Sequence, residues 1–228
     1  MSWISFSHRL RRAPNAKGAL DKTAPEALVV LLHDLGASAA ALTSIAARWS
    51  ATVPAAAFIA LDGVERLIAT PVADTDTAPT PLDRIAHTLE ALLDHELRER
   101  RLDGARLVLV GFGYGGTLAL HLLLRQRWSC AGILAFEAEL MRPLPRILRI
   151  DCKVRLIDCT ADAPADHGRL RDKVALLSAR GLDTRGVLLA GSALSNEAIR
   201  HGGAYLVELV ATAQRGNRFH VDRESSHA

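Results

Sequence analysis

At 228 residues, 49% hydrophobic and 23% charged, the chain reads as an ordinary soluble domain with enough apolar material for one large core, and nothing in it suggests a second domain. Its 28 basic and 25 acidic side chains leave a net charge of +3, spread without a basic block, so composition gives no support to a nucleic-acid partner. The three cysteines, Cys130, Cys152 and Cys159, lack metal-ligand spacing and are odd in number, and no run approaches the roughly 18 apolar residues of a membrane span. A cytoplasmic protein with no metal, no cofactor and no membrane span is expected.

In chain order, residues 1–26 read as an N-terminal segment in which Ser2 to Ser7 adds an edge strand, and the basic Arg9, Arg11 and Arg12 are not followed by an apolar leader region. Short apolar runs then alternate with longer helical patterns. Ala27 to Leu32, Ala57 to Leu61, Arg106 to Val110, Gly132 to Phe136, Val154 to Ile157 and Gly186 to Leu189 are near-continuously apolar, as strands buried on both faces should be. Helical periodicity falls at residues 39–50, 82–101, 115–127, 168–180 and 195–213. The Pro-, Thr- and Asp-rich stretch from Ala69 to Pro81 reads as an excursion loop, and residues 214–228 read as a disordered tail. Strand alternating with helix predicts one α/β domain over 27–213, with a mostly parallel, doubly wound sheet of about six or seven strands covered by helices on both faces. Ligands of such sheets bind where the loops leave the strands' carboxyl ends.

The most informative of these loops follows the central run, where Leu107-Val-Leu-Val-Gly-Phe-Gly-Tyr-Gly-Gly-Thr-Leu118 passes from a buried strand through glycines into a helix. A nucleophile elbow, Gly-x-Ser-x-Gly, lifts a serine over a sheet edge and needs small flanking residues because the backbones pass close together. Gly111, Gly115 and Gly116 supply the small flanks, but Gly113 stands at the serine position and offers no attacking oxygen. Glycine enters the strained backbone of an elbow without steric cost.

These motifs and their order resemble the phospholipase/carboxylesterase family of α/β-hydrolases, which includes acyl-protein thioesterases and small bacterial carboxylesterases, over roughly residues 27–213. Leu31-Leu-His-Asp-Leu-Gly-Ala-Ser38 is similar to the family's Leu-His-Gly-Leu-Gly-Asp-Ser oxyanion loop, and Ala60-Leu61-Asp62 to its Ala-Pro-Asp. Gly111-Phe-Gly-Tyr-Gly-Gly116 resembles its Gly-Phe-Ser-Gln-Gly-Gly elbow. Leu156-Ile-Asp-Cys-Thr-Ala-Asp162 resembles the strand ending in the triad aspartate, which makes Asp162 the acid. The resemblance implies an α/β-hydrolase fold with oxyanion donors at Leu35 and Tyr114, and it permits a homodimer.

Several residues depart from that pattern. Gly113 leaves the nucleophile position vacant, and Ser192, in Gly191-Ser-Ala-Leu-Ser-Asn-Glu-Ala198, stands where the family's histidine is expected. Asp34 replaces a glycine of the oxyanion loop, and the family's excursion-loop tryptophan is absent between Val64 and Pro81. Acyl transfer of this kind needs a nucleophile, a base and a carboxylate to orient the base, so Asp162 has nothing to orient. Cys159, at a strand end, is a relocated nucleophile or a small core residue. His167, expected in the loop after Asp162, is a replacement base or a surface histidine. Asp34 is a pocket carboxylate or an exposed turn residue, and Tyr114 a pocket donor or a packing residue. His33 is expected to hydrogen-bond beneath the oxyanion loop, and His121 and His201 to be helix residues.

Three functions follow. One is a non-catalytic hydrolase homologue that binds a small acyl or carboxylate-bearing molecule, or a partner protein, in a pocket of Asp34, Leu35, Gly113, Tyr114, Asp162 and His167. The second is an active carboxylesterase or thioesterase with Cys159 as nucleophile. The third is a dinucleotide-binding protein, because Gly111, Gly113 and Gly116 also spell Gly-x-Gly-x-x-Gly between a strand and a helix, with Glu137 after the next strand.

Overall fold

The computed structural model describes residues 11–12, 24–61, 80–125, 130–141, 143–144, 151–160 and 164–224. Asp162, the segment Ser2 to Ser7 and nearly all of the expected excursion loop lie outside them. Strands β1 (Arg11–Arg12), β2 (Ala27–Leu32), β3 (Ala56–Leu61), β4 (Leu107–Phe112), β5 (Gly132–Phe136), β6 (Lys153–Thr160) and β7 (Asp183–Ala190) form one sheet in the order β1-β3-β2-β4-β5-β6-β7. From β3 to β7 every pairing is parallel; the two-residue β1 pairs antiparallel with β3 at the edge.

The helices α1 (Ala39–Ser50), α2 (Pro81–Glu99), α3 (Tyr114–Leu124), α4 (Pro164–Ser178) and α5 (Asn196–Glu224) cover both faces. Alternate residues of one strand serve opposite cores, as the strand period of two requires. Leu28, Val30 and Leu32 of β2 join the core beneath α2, α3 and α4, whereas Ala27, Val29 and Leu31 join the core beneath α1 and α5. All six are fully buried, which explains why the strands read as unbroken apolar runs.

Helix α2 begins at Thr80, whose hydroxyl oxygen accepts from the Asp83 amide at 3.1 Å, with Pro81 in the first turn. Asp83 in turn accepts from Arg125 at 2.6 Å and from His121 at 3.1 Å, tying α2 to α3. His121 is thus a helix residue with a structural partner. Helix α5 carries on to Glu224, across most of the stretch expected as a tail from residue 214. The apolar periodicity stops near Ala213, but the following residues contain no proline to break the helix. Among the described residues no helix is long and apolar enough to cross a membrane.

The close approach of α5 to the sheet is set by Trp49, whose indole N–H donates to the Ile199 carbonyl at 3.0 Å. Phe112 and Phe136 stack with centroids 4.4 Å apart, and Trp49 lies 6.4 Å from Phe136. A side chain at Gly202 would stand 2.6 Å from Phe136 Cζ, so the aromatic stack beneath the sheet's central strands requires that glycine.

An arginine inside the apolar run of β6 is the least expected core residue. Arg155 is fully buried, and its guanidinium reaches Glu208 on α5 at 2.6 Å and both carboxylate oxygens of Asp183 at 3.2 Å. A buried charge persists only when paired and hydrogen-bonded, and here it staples α5 and β7 to β6. Arg155's hydrogen bonds hold the Glu208 carboxyl down at about 2, against an ordinary 4.5, with burial opposing them. A carboxyl depressed in the folded state contributes stability that is complete above its unfolded value and is lost as pH falls towards its folded value. We therefore expect Glu208→Gln to cost about 1–3 kcal/mol at neutral pH in denaturant unfolding, leaving Arg155 only Asp183 as a charged partner. The gap between the two proteins should narrow from about pH 4.5 downwards. A gap independent of pH down to 2.5 would contradict this role for Glu208.

Candidate functional site

The site is built around the turn from β4 into α3. A Cβ on Gly111 would run into the backbone of Gly115 and Gly116, one on Gly115 into the Leu32 and His33 carbonyls, and one on Gly116 would sit 2.9 Å from Ala138 Cβ. The glycines are therefore required by close crossing of β2, β4 and α3. Gly113 itself has φ 53° and ψ −117°, a backbone state that costs a residue with a side chain about 1–3 kcal/mol. Its N–H donates to the Phe136 carbonyl at 2.8 Å, fixing the turn against the end of β5.

Asp34, in the loop after β2, reaches across to this turn. Its Oδ1 accepts from the Leu35 amide at 2.8 Å and from the Tyr114 amide at 2.8 Å. The amides of Leu35 and Tyr114 thus converge on one oxygen, and it belongs to the chain's own carboxylate. A Cβ built on Gly113 would overlap the Asp34 carboxylate carbon and both its oxygens. The carboxylate therefore stands where a serine side chain would project and holds the amides that would stabilise a tetrahedral oxyanion. Asp34 is both solvent-exposed and in the site, so the two readings of it were not exclusive.

Beneath the loop His33 is 3% exposed, and its Nδ1 lies 2.7 Å from the Asp34 carbonyl, to which it donates. Tyr114 packs its ring against the core under α2, α3 and α4, and burial pushes its phenol up, which fits the packing reading.

The neighbouring loops add carboxylates. Glu137, immediately after β5, has φ 50°, the strained left-handed region for a residue with a side chain. Burial, then the nearby charges of Asp158 and Asp34, push its carboxyl up, opposed by the Ala193 amide that donates to it and by Lys173. Asp158 is paired with Lys173 at 2.6 Å, and Lys173 Nζ also donates to the Ala138 carbonyl at 2.8 Å. Glu137 was legible in the sequence only as an acid after a strand, and its place beside Asp34 depends on β4 and β5 being neighbours.

Cys159 is half-buried beside these groups. Burial, with Glu137, Asp158 and Glu197, pushes its thiol up to about 11, so it is a neutral thiol near pH 7 and a poor nucleophile. Ser192 is exposed in the loop after β7, next to the Ala193 amide that binds Glu137. His167 lies in α4 and not in a loop, with its side chain exposed. The helix starts at Pro164, earlier than the periodicity suggested, because Asp166 accepts from the Thr160 hydroxyl at 2.6 Å and anchors the first turn. Among the described residues no group of three or more histidine, cysteine or acidic side chains could hold a metal.

The structure therefore brings Asp34, Leu35, Gly113 and Tyr114 together, with Glu137, Asp158 and Cys159 alongside. This geometry can hold an oxygen on two amides; it provides no activated nucleophile at Gly113. It also weakens the dinucleotide reading, since the amide that opens α3 and would face a pyrophosphate is bound to a carboxylate.

A model of the phospholipase/carboxylesterase family matches residues 19–147, more than half of the 228. No curated protein matches the chain. Among solved structures, the esterase PE8 superposes with a TM-score of 0.70 at 22% identity, covering 89% of this chain and 98% of its own. The Bacillus cereus carboxylesterase gives 0.67 at 15% identity, over 89% and 93% of the two chains. A phospholipase/carboxylesterase from Dyadobacter fermentans gives 0.61 at 18%, over 80% and 90%. These likenesses establish the α/β-hydrolase fold.

A serine at position 113 would carry the backbone strain and evict the Asp34 carboxylate from its two amides. Gly113→Ser should thus lower stability by about 1–3 kcal/mol, read as a lower melting temperature in a thermal scan. An unchanged or raised melting temperature would contradict the strained turn.

Proposed function

Because the chain belongs to the phospholipase/carboxylesterase family of α/β-hydrolases and yet carries glycine where the family's attacking serine stands, we propose that it is a non-catalytic member that binds ligand at the former acyl-transfer site. The observation that carries this reading is the Asp34 carboxylate on the Leu35 and Tyr114 amides, filling the space a nucleophile needs. Removal of a triad member alone leaves about 10³–10⁴-fold acceleration over water, much of it from the oxyanion hole. Here that remainder is also blocked, because the hole is engaged.

The ligand is a small acyl or carboxylate-bearing molecule, or a partner presenting one. Its oxygen would take the two amides, and its apolar part the exposed Leu35, Met141 and Leu194, which lie in loops following β2, β5 and β7. Catalysis by Cys159 finds no support in a thiol pushed so far up.

Hydrolysis of p-nitrophenyl acetate and butyrate tests this reading, with iodoacetamide-treated and Asp162→Ala samples alongside. Wild-type rates should equal buffer. Saturable turnover abolished by either treatment would show that the chemistry has moved to another residue.

Reconstruction tests the residue assignments. Gly113→Ser displaces the Asp34 carboxylate from the two amides, so Gly113→Ser with Ser192→His should turn over faster than Gly113→Ser alone, and adding Asp34→Gly should change kcat by less than about tenfold. A triple variant about 10²-fold faster than the double would show that the carboxylate still blocks the amides beside a serine.

A further inference from the structure

We propose that the site is self-ligated: the Asp34 carboxylate is an internal ligand of the Leu35 and Tyr114 amides, and an external carboxylate binds only by displacing it. This rests on reading the site as one that binds ligand, and it assigns that site's regulation.

Three observations carry it. First, one oxygen of Asp34 accepts from both amides at 2.8 Å, the length of a charge-assisted bond, so the donor pair is already shaped to a carboxylate. Second, the carboxylate fits only because Gly113 has no side chain, since a Cβ there would overlap it. Third, the side chain is free to leave while the loop stays. The Asp34 carbonyl is held by His33 Nδ1 at 2.7 Å and by the Ala37 amide at 3.1 Å, which fixes the main chain independently of the carboxylate. Residues 34–38 are all exposed, so a side chain leaving the two amides can turn into solvent.

Two negative carboxylates cannot share one donor pair, and Glu137 close by adds repulsion to any second anion. Binding is therefore mutually exclusive. The apparent affinity of an incoming ligand is reduced by the fraction of molecules in which Asp34 has left the amides. Anything that draws Asp34 outwards, such as a cationic group on a partner, would open the site without altering the fold.

The test is titration with butyrate of wild type, Asp34→Gly and Asp34→Asn, followed through the backbone amide resonances of Leu35 and Tyr114. Wild type should bind weakly. Asp34→Gly should show saturable shifts at both amides, with an apparent affinity at least about tenfold tighter. Asp34→Asn keeps the side-chain volume but loses the charge, should give a smaller gain, and carries the test if the glycine variant fails to fold. Folded variants that bind butyrate no tighter than wild type, or whose shifts avoid Leu35 and Tyr114, would overturn self-ligation. p-Nitrophenyl butyrate turnover in the same samples separates the two readings. Turnover by wild type would overturn the non-catalytic function, whereas silent samples with unchanged butyrate affinity would overturn self-ligation alone.

Discussion

The close crossing of three backbone segments at the end of β4 is the constraint on which the site depends. Gly111 must admit the Gly115 carbonyl, Gly115 must admit the main chain of Leu32 and His33, and Gly113 must bend through a positive φ while binding Phe136. Such packing leaves little choice of residue and brings the loop after β2 against the first turn of α3. From there the amides of Leu35 and Tyr114 face one point. The donor pair is thus a consequence of the fold and persists whether or not a nucleophile stands beside it.

That persistence explains what was readable. The buried parallel strands announce themselves as apolar runs because both faces are covered, and β2 and β5 fall where the sequence places them. The elbow is legible because its glycines are demanded locally. Less legible were Arg155, a charge within an apolar run whose partners Asp183 and Glu208 are distant in sequence, and Glu137, whose neighbours Asp34 and Asp158 are assembled only by strand order. Periodicity reports which face a residue occupies and is silent on which charge meets it across elements. The start of α4 lies ahead of its helical pattern for a related reason: the first turn is anchored by a side-chain contact between Asp166 and Thr160, and the periodicity begins only later.

Electrostatics then restrict what chemistry the edge supports. A thiolate at Cys159 would have to form in a half-buried position facing Glu137, Asp158 and Glu197, and every one of these disfavours it. A general base at Ser192 is absent, and the Ala193 amide beside it already serves Glu137. Among the described residues the loops at this edge present a pair of convergent donors, the Leu35 and Tyr114 amides, beside a thiol that its surroundings keep protonated.

Positions 34 and 113 form one unit. With serine at 113, the Asp34 carboxylate has no room, and an aspartate turned outwards would leave the amides to water or substrate. With glycine at both positions, the amides would have only solvent for a partner and the turn would lose its link to the loop after β2. With aspartate at 34 and glycine at 113, the donors are satisfied, the space is filled and the loop is tied to α3 through Tyr114. An anion placed next to a helix N-terminus is also favoured by the helix dipole, so the same bonds that occupy the two amides add local stability. The residues at 34 and 113 are therefore physically complementary, and a side chain at 113 cannot be added without moving the Asp34 carboxylate.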